Sequence, residues 1–202
     1  AACASLLNAA YGFFILPESL APEKRRAFEW RRANPLGSLR FLRAHHEVFA
    51  LAGASFLSSL THAVPPAVFV LYAAYRYGWD EKAVGLALAG VGTASALVQG
   101  ALVGPLVRRF GERRVMIGGL LAGTAGFMLY AFAPTGLWFV AAIPIVGLWG
   151  LAAPTSQGIM TRAVGASAQG ELQGAMGSLA GIATVIGPTL FATVFAWSIR
   201  HG

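Results

Sequence analysis

The chain has 202 residues, of which 56% are hydrophobic and 11% are charged, and its mean hydropathy is +0.64. This composition supplies too little polar surface for a soluble domain of that length, so it excludes a soluble fold and indicates a membrane protein. The net charge of +7 does not indicate nucleic-acid binding, because the basic residues lie in short segments between apolar runs. The single cysteine, Cys3, excludes an internal disulfide and a cysteine-based metal site.

The chain opens with a short apolar segment, residues 1–16. At about 1.5 Å per residue it is too short for a hydrocarbon core of about 30 Å, so we expect it to be the second part of a span whose beginning is missing. It has no basic leader and does not resemble a signal peptide.

Residues 17–47 form the only long polar segment, and we expect them to lie on the cytoplasmic surface. Within it, residues 36–43 have the leucine spacing of an amphipathic helix, with Arg40 and Arg43 available to anionic lipid. The alternative for the first part of the segment is a disordered linker.

Five longer apolar segments follow, each long enough to cross a bilayer with some tilt. The predicted spans are 48–75, 83–107, 115–133, 136–161 and 172–199. Pro65-Pro66 predicts a kinked or unwound first span, and Pro134 with Gly136 predicts the turn between the third and fourth. The sequence therefore predicts an all-α, polytopic helical membrane protein with residues 48–202 as its transmembrane bundle.

Small residues spaced four apart recur in these spans. The pairs are Gly100/Gly104, Gly119/Gly123, Gly170/Gly174 and Gly177/Gly181. Such pairs let helix backbones approach closely in a membrane, where no hydrophobic effect drives helices together. Together they predict a tightly packed bundle.

The basic residues divide unequally between the two faces that these spans imply. Segments 17–47, 108–114 and 162–171 share one face and hold twelve of the fifteen Lys and Arg residues, and the other face holds the remaining three. Because cytoplasmic loops carry an excess of Lys and Arg, we expect the basic face to be cytoplasmic.

Residues 104–114 place four arginines and two glycines between two uncharged spans. Gly111 is expected to permit a tight reversal of the chain, and the arginines to lie beside anionic headgroups. The spacing Gly-x-x-x-x-Arg-x-Gly-x-Arg-Arg resembles the loop motif of the major facilitator superfamily of secondary transporters. That family usually has Asp where this chain has Arg108, which suggests the degenerate copy found in the second half of such proteins.

The motif residues are Gly104, Arg108, Arg109, Gly111 and Arg113. We expect Arg109 and Gly111 to tune opening on the cytoplasmic face rather than to bind substrate. The alternative for any one arginine is a solvated loop residue.

Several stretches narrow the resemblance to the tetracycline-resistance branch of the drug:proton antiporters. They are Phe13–Leu20, Trp30–Leu39, Val68–Tyr72 with Arg76–Trp79, and Gln169–Gly174 with Gly187–Phe191. The resemblance implies the end of helix 6, the central cytoplasmic loop and helices 7 to 11 of a twelve-helix transporter in the bacterial inner membrane. It also implies proton-coupled efflux of a small molecule, a missing N-terminal half and no cofactor.

The family resemblance implies the fold more narrowly than it implies the substrate. Tetracycline exporters of this branch carry a His in helix 8 and an Asp in helix 9, and the matching positions here hold Ser95 and Gly123. Tetracycline therefore stays one candidate among amphipathic drug-like compounds.

Uncharged polar side chains within the spans are the candidates for substrate contact, since intramembrane polar groups are costly unless they face the bundle interior or a water-filled cavity. We expect Gln99 and Gln157 to line a cavity, with interhelical hydrogen bonding as the alternative. His62 is either a titrating group or a neutral side chain bonded to freed backbone. The predicted substrate-binding residues are His62, Ser95, Gln99, Trp149 and Gln157.

Every Asp and Glu lies in a loop or at a span end. A proton-driven antiporter generally needs a titratable group in the membrane, so we expect the coupling carboxylate in the missing first half. A truncated, non-transporting protein is an alternative. An intramembrane enzyme is the least favoured one, because the chain has neither His-Glu-x-x-His nor a complete Gly-x-Ser-x-Gly.

Overall fold

The computed structural model describes residues 2–15, residue 42 and residues 45–201. The chain divides into two units, residues 1–31 and 32–202. In the first unit, helix α1 spans Ala2–Phe14. Apart from Leu42 and residues 45–47, the predicted cytoplasmic segment 17–47 lies outside the described residues.

In the second unit every regular element that the structure describes is helical, which confirms the all-α, polytopic class. The helices are α2 (His46–His62), α3 (Val64–Tyr77), α4 (Glu81–Leu97), α5 (Val103–Phe110), α6 (Glu112–Phe132), α7 (Gly136–Gly147), α8 (Ala152–Ala163) and α9 (Gln169–His201). A π-helical turn, Val98–Leu102, joins α4 to α5, and a 3-10 turn, Leu148–Leu151, joins α7 to α8.

Four continuous helices among the described residues are long and apolar enough to cross a membrane: Glu81–Phe110, Glu112–Phe132, Gly136–Ala163 and Gln169–His201. The pair α2 and α3 makes a fifth when it is counted as one span bent by 47°. Ala63 separates the two helices, and Pro65 lies in the first turn of α3. Proline suits that position because the first turn of a helix needs no N–H donor from it.

Two glycines with positive φ end helices at opposite ends of the bundle. Gly78 ends α3 in the left-handed conformation, with φ 64° and ψ 28°, and Asp80 then caps α4 by accepting a 2.8 Å hydrogen bond from the Ala83 N–H. Gly111 joins α5 to α6 with φ 78° and ψ 155°. The local sequence thus fixes where consecutive spans reverse.

Glycines on α6 bring its backbone against the span formed by α7 and α8. A Cβ built at Gly126 would lie 2.5 Å from Val146 Cγ2, and one at Gly119 would lie 3.0 Å from the Ala152 backbone nitrogen. Close backbone approach of this kind is how helices associate in membranes. By contrast, Cβ atoms built at Gly100, Gly104, Gly170, Gly177 or Gly181 would meet nothing within 4 Å in the part of the chain that the structure describes.

Aromatic rings pack the end of the bundle where α3 turns into α4 and α6 turns into α7. The cluster consists of Phe69, Tyr72, Tyr77, Trp79, Tyr130 and Phe139. Tyr130 stacks on Phe139 with ring centroids 3.8 Å apart, and the Tyr77 hydroxyl donates a 3.0 Å hydrogen bond to the Ala133 carbonyl. These contacts join the two turns at this end.

Candidate functional site

A cavity of about 350 Å³ lies between α2, α6, α8 and α9. The polar residues that line it are Ser55, Ser58, Ser59, His62, Ser156, Gln157 and Gln173. The large apolar residues that line it are Met116, Leu120, Met160 and Met176. None of the lining residues that the structure describes is Asp, Glu, Lys or Arg. A volume in this range, mostly apolar walls and a few convergent polar groups are typical of small-molecule sites.

One face of α2 supplies most of the polar groups. Ser55, Ser59 and His62 are spaced four and three residues apart, so they lie along one side of the helix. The Ser55 and Ser156 hydroxyl oxygens are 3.2 Å apart and form a hydrogen bond between α2 and α8. This bond fixes the separation of two walls of the cavity.

Gln157 on α8 carries a hydrogen-bond donor without a partner in the part of the chain that the structure describes. Its Nε2 atom is buried and makes no hydrogen bond to any described residue. A buried donor left unsatisfied costs about 1–3 kcal/mol. Because Gln157 lines the cavity, a rotation of its side chain toward the cavity would let this amide donate to an acceptor atom on a bound ligand.

His62 is the last residue of α2, and its ring stacks on Trp149 from the 3-10 turn. The ring centroids are 4.0 Å apart and the ring planes differ by 15°. Trp149 also lies against Gly123 of α6, where a built Cβ would be 2.8 Å from Trp149 Cγ. The structure therefore brings together two of the residues that the sequence predicts as substrate-binding, His62 and Trp149.

Of the predicted substrate-binding residues, Gln99, Ser95 and Trp149 lie outside the lining of this cavity. Gln99 belongs to the π-helical turn, next to the 3-10 turn: a Cβ built at Gly150 would be 3.6 Å from Gln99 Cγ. Ser95 lies near the end of α4. Their roles in substrate binding stay predictions.

The sequence interpretation missed the serines of α2 as lining residues. The signal was present, because a serine one and two turns before His62 is the spacing of a polar helix face. The three methionines could not be found in this way, since Met116, Met160 and Met176 come from three different helices. Methionine side chains are flexible and polarizable, which suits walls that adapt to a ligand.

The loop motif lies at the junction of α5 and α6. Arg108 and Arg109 are in the last turn of α5, where positive charge is favourable near the helix C-terminus. The Arg109 guanidinium lies 5.3 Å from the centre of the Phe110 ring. Gly104 and Arg113 are exposed.

Glu112, within the motif, forms an ion pair with Arg162 at the end of α8. The two partners differ in burial: the Glu112 side chain is 19% exposed, and the Arg162 side chain is 65% exposed. Glu112 also lies over Gly158, where a built Cβ would be 2.8 Å from its Oε1 atom. The motif is thereby joined to the span that carries Gln157 and Trp149.

The described residues contain no group of three or more His, Cys, Asp and Glu side chains that could hold a metal ion.

The family model described as Major Facilitator Superfamily matches residues 51–200. The tetracycline resistance protein, class C, of Escherichia coli is 33% identical over 192 residues, which cover 95% of this chain and 48% of that protein. The class D protein of Salmonella ordonez is 31% identical over 196 residues, 96% of this chain and 49% of its own.

A human protein, hippocampus abundant transcript-like protein 1, is 26% identical over 197 residues, which cover 95% of this chain and 39% of its own length. The chain thus spans about half the length, or less, of the curated relatives that it matches.

Proposed function

The chain belongs to the Major Facilitator Superfamily and its tetracycline-resistance-like branch, and from this premise we propose that it is part of a secondary active transporter that exports amphipathic drug-like compounds. Tetracycline is one candidate substrate. Export proceeds by alternating access between the two membrane faces, and coupled proton movement down its gradient supplies the free energy. The protein is a multi-pass membrane protein, and we assign it to a bacterial inner membrane.

The cavity between α2, α6, α8 and α9 is the observation that carries this proposal. Its polar groups are hydroxyls, amides and one imidazole, and its walls include three methionines. A small anion is favoured by a cationic partner, and the described residues of the lining include no Lys or Arg. Uncharged or charge-delocalised ligands with both a polar and an apolar side fit this lining better.

The rest of the transporter lies outside this chain in our proposal. The five described spans correspond to helices 7 to 11, α1 to the end of helix 6, and a missing N-terminal half completes the central pathway. Asp80 caps α4, and Glu81, Glu112 and Glu171 lie in first helical turns, so these four acidic residues lie at span ends rather than at membrane depth. The missing half therefore supplies the coupling carboxylate, and these 202 residues alone insert but do not transport.

Reconstitution tests the proposal. The full-length protein and this segment alone are placed in liposomes with an imposed pH gradient and offered tetracycline, the lipophilic cation tetraphenylphosphonium and a small hydrophilic sugar. We expect gradient-driven movement of an amphipathic compound by the full-length protein only. Movement of the sugar alone would contradict drug efflux, and movement by the segment alone would contradict the placement of the coupling group. The second candidate, a non-transporting membrane protein, predicts no movement at all.

A further inference from the structure

The imidazole of His62 has one face covered. It stacks on the Trp149 indole at 4.0 Å with nearly parallel planes, while His62 itself lines the cavity. With one face occupied, only the opposite face and the ring edge remain for a ligand. Both ring nitrogens lie on that edge, and a neutral imidazole offers one N–H donor and one nitrogen acceptor.

Trp149 is in turn held by contacts with α6. A Cβ built at Gly123 would lie 2.8 Å from Trp149 Cγ and 2.9 Å from Cδ1, so the α6 backbone approaches the indole closely at this point. Phe127, one turn further along α6, meets the indole edge-to-face at 5.4 Å. The indole on which the imidazole stacks thus contacts α6 at both Gly123 and Phe127, and it cannot rotate far without meeting α6.

Trp149 is not among the described residues that line the cavity, and His62 is the lining residue on which its ring stacks. His62 needs such support because it is the last residue of α2, next to the bend at Ala63. A side chain at a helix end has fewer neighbours on its own helix to restrict it than one in the middle of a helix. Fixing a side chain before a ligand arrives reduces the entropy lost on binding.

We propose that Trp149 is a positioning residue that holds His62 ready to hydrogen-bond the substrate, and that this pair sets a preference for substrates with a hydroxyl or carbonyl group at that end of the cavity. The inference rests on the proposed function. The His62–Trp149 pair would let the transporter distinguish substrates by hydrogen bonding, which the size of the cavity alone does not provide.

The first test measures the position of His62 and needs no transport. The full-length protein is labelled with carbon-13 histidine in detergent, and His62→Asn identifies the His62 ring resonance. Because an aromatic ring shields nuclei over its face, we expect a displaced His62 resonance in the unmodified protein. Trp149→Leu should return it toward the position of free histidine, and Trp149→Phe should retain part of the displacement. Trp138→Leu, which removes an exposed indole from α7 of the same span, is the matched control and should change nothing.

The second test measures selectivity. In liposomes with a pH gradient, Trp149→Leu and His62→Asn should each raise KM for tetracycline about two- to tenfold, the range expected for one lost hydrogen bond, with little change in maximal rate. Trp149→Phe should stay near the unmodified value. KM for tetraphenylphosphonium, which has no hydrogen-bonding group, should be unaffected.

The outcomes separate this inference from the proposed function. An unchanged His62 resonance in Trp149→Leu overturns the positioning role, and an equal loss for both compounds indicates collapse of the cavity and overturns the selectivity. If the unmodified protein transports neither compound, the proposed function fails. Displacement of the His62 resonance by added tetracycline then replaces KM as the measure, and no displacement overturns the inference.

Discussion

Glu112, the first residue of α6, forms an ion pair with Arg162, in the last turn of α8. Each charge also lies where the adjacent helix terminus favours it, a carboxylate at an N-terminus and a guanidinium at a C-terminus. The pair connects segments 108–114 and 162–171 on the face that we expect to be cytoplasmic. The Glu112 side chain is largely buried and the Arg162 side chain is exposed. Solvent and salt therefore weaken the attraction between the two charges only in part.

A double-mutant cycle measures what this pair contributes. Glu112→Gln and Arg162→Gln should each lower the free energy of unfolding of the full-length protein, and the double variant should lose less than the sum of the two. The coupling energy should be about 0.2–1 kcal/mol, as for partly exposed ion pairs, and should fall with added salt. Strictly additive losses would show that the two side chains do not interact.

Gly111 should tolerate substitution far less well than Gly78. With φ 78° and ψ 155°, Gly111 occupies a region that is essentially restricted to glycine, whereas Gly78, with φ 64° and ψ 28°, lies in the left-handed region that asparagine also adopts. Gly111→Asn should therefore cost about 1–3 kcal/mol, and Gly78→Asn should cost less. Thermal unfolding of the two variants side by side measures the difference, and similar losses would contradict the assigned conformations.

Two glycines on α6 should respond to alanine with opposite signs. A Cβ at Gly126 would lie 3.0 Å from the Val146 backbone, so Gly126→Ala should destabilise by about 1–3 kcal/mol through overpacking. At Gly118 a Cβ meets nothing within 4 Å, so Gly118→Ala should stabilise the helix by about 0.5–1 kcal/mol. Unfolding titrations compare the two, and a stabilising Gly126→Ala would mean that α6 and α7 lie further apart than described.

Much of the fold could be predicted because it depends on local sequence. Runs of uncharged residues predict helical spans, and Pro65-Pro66 predicts the interrupted one, which the structure bends beside Ala63. The site depends instead on which faces of distant helices meet. Nothing local to Glu112 indicates Arg162 as its partner, and nothing local to Gly123 indicates that Trp149 lies on it.

The orientation in the membrane stays a prediction from the distribution of charge, and labelling tests it. In a variant of the full-length protein without other cysteines, Lys82→Cys should react with an impermeant maleimide on intact cells. Arg113→Cys should react only after permeabilisation, because it lies on the basic face. Both residues are exposed, so burial does not confound the comparison. Equal labelling of the two positions in intact cells would contradict the predicted orientation.

Gln157→Leu should make the protein more stable and a poorer binder at the same time. The unpartnered Nε2 atom is buried, and replacing it with an apolar group of similar size removes its desolvation cost, a gain of about 1 kcal/mol in unfolding free energy. The same change removes the donor that would reach a ligand acceptor once the side chain rotates toward the cavity, so tetracycline affinity of the full-length protein should fall about two- to tenfold. Thr155→Val is the matched control on α8, because Thr155 donates to the Leu151 carbonyl at 2.6 Å and does not line the cavity. That variant should lose stability and keep its affinity. Because a purely structural glutamine would lose stability when replaced, a destabilised Gln157→Leu with unchanged affinity would show that Gln157 holds the bundle together and does not bind substrate.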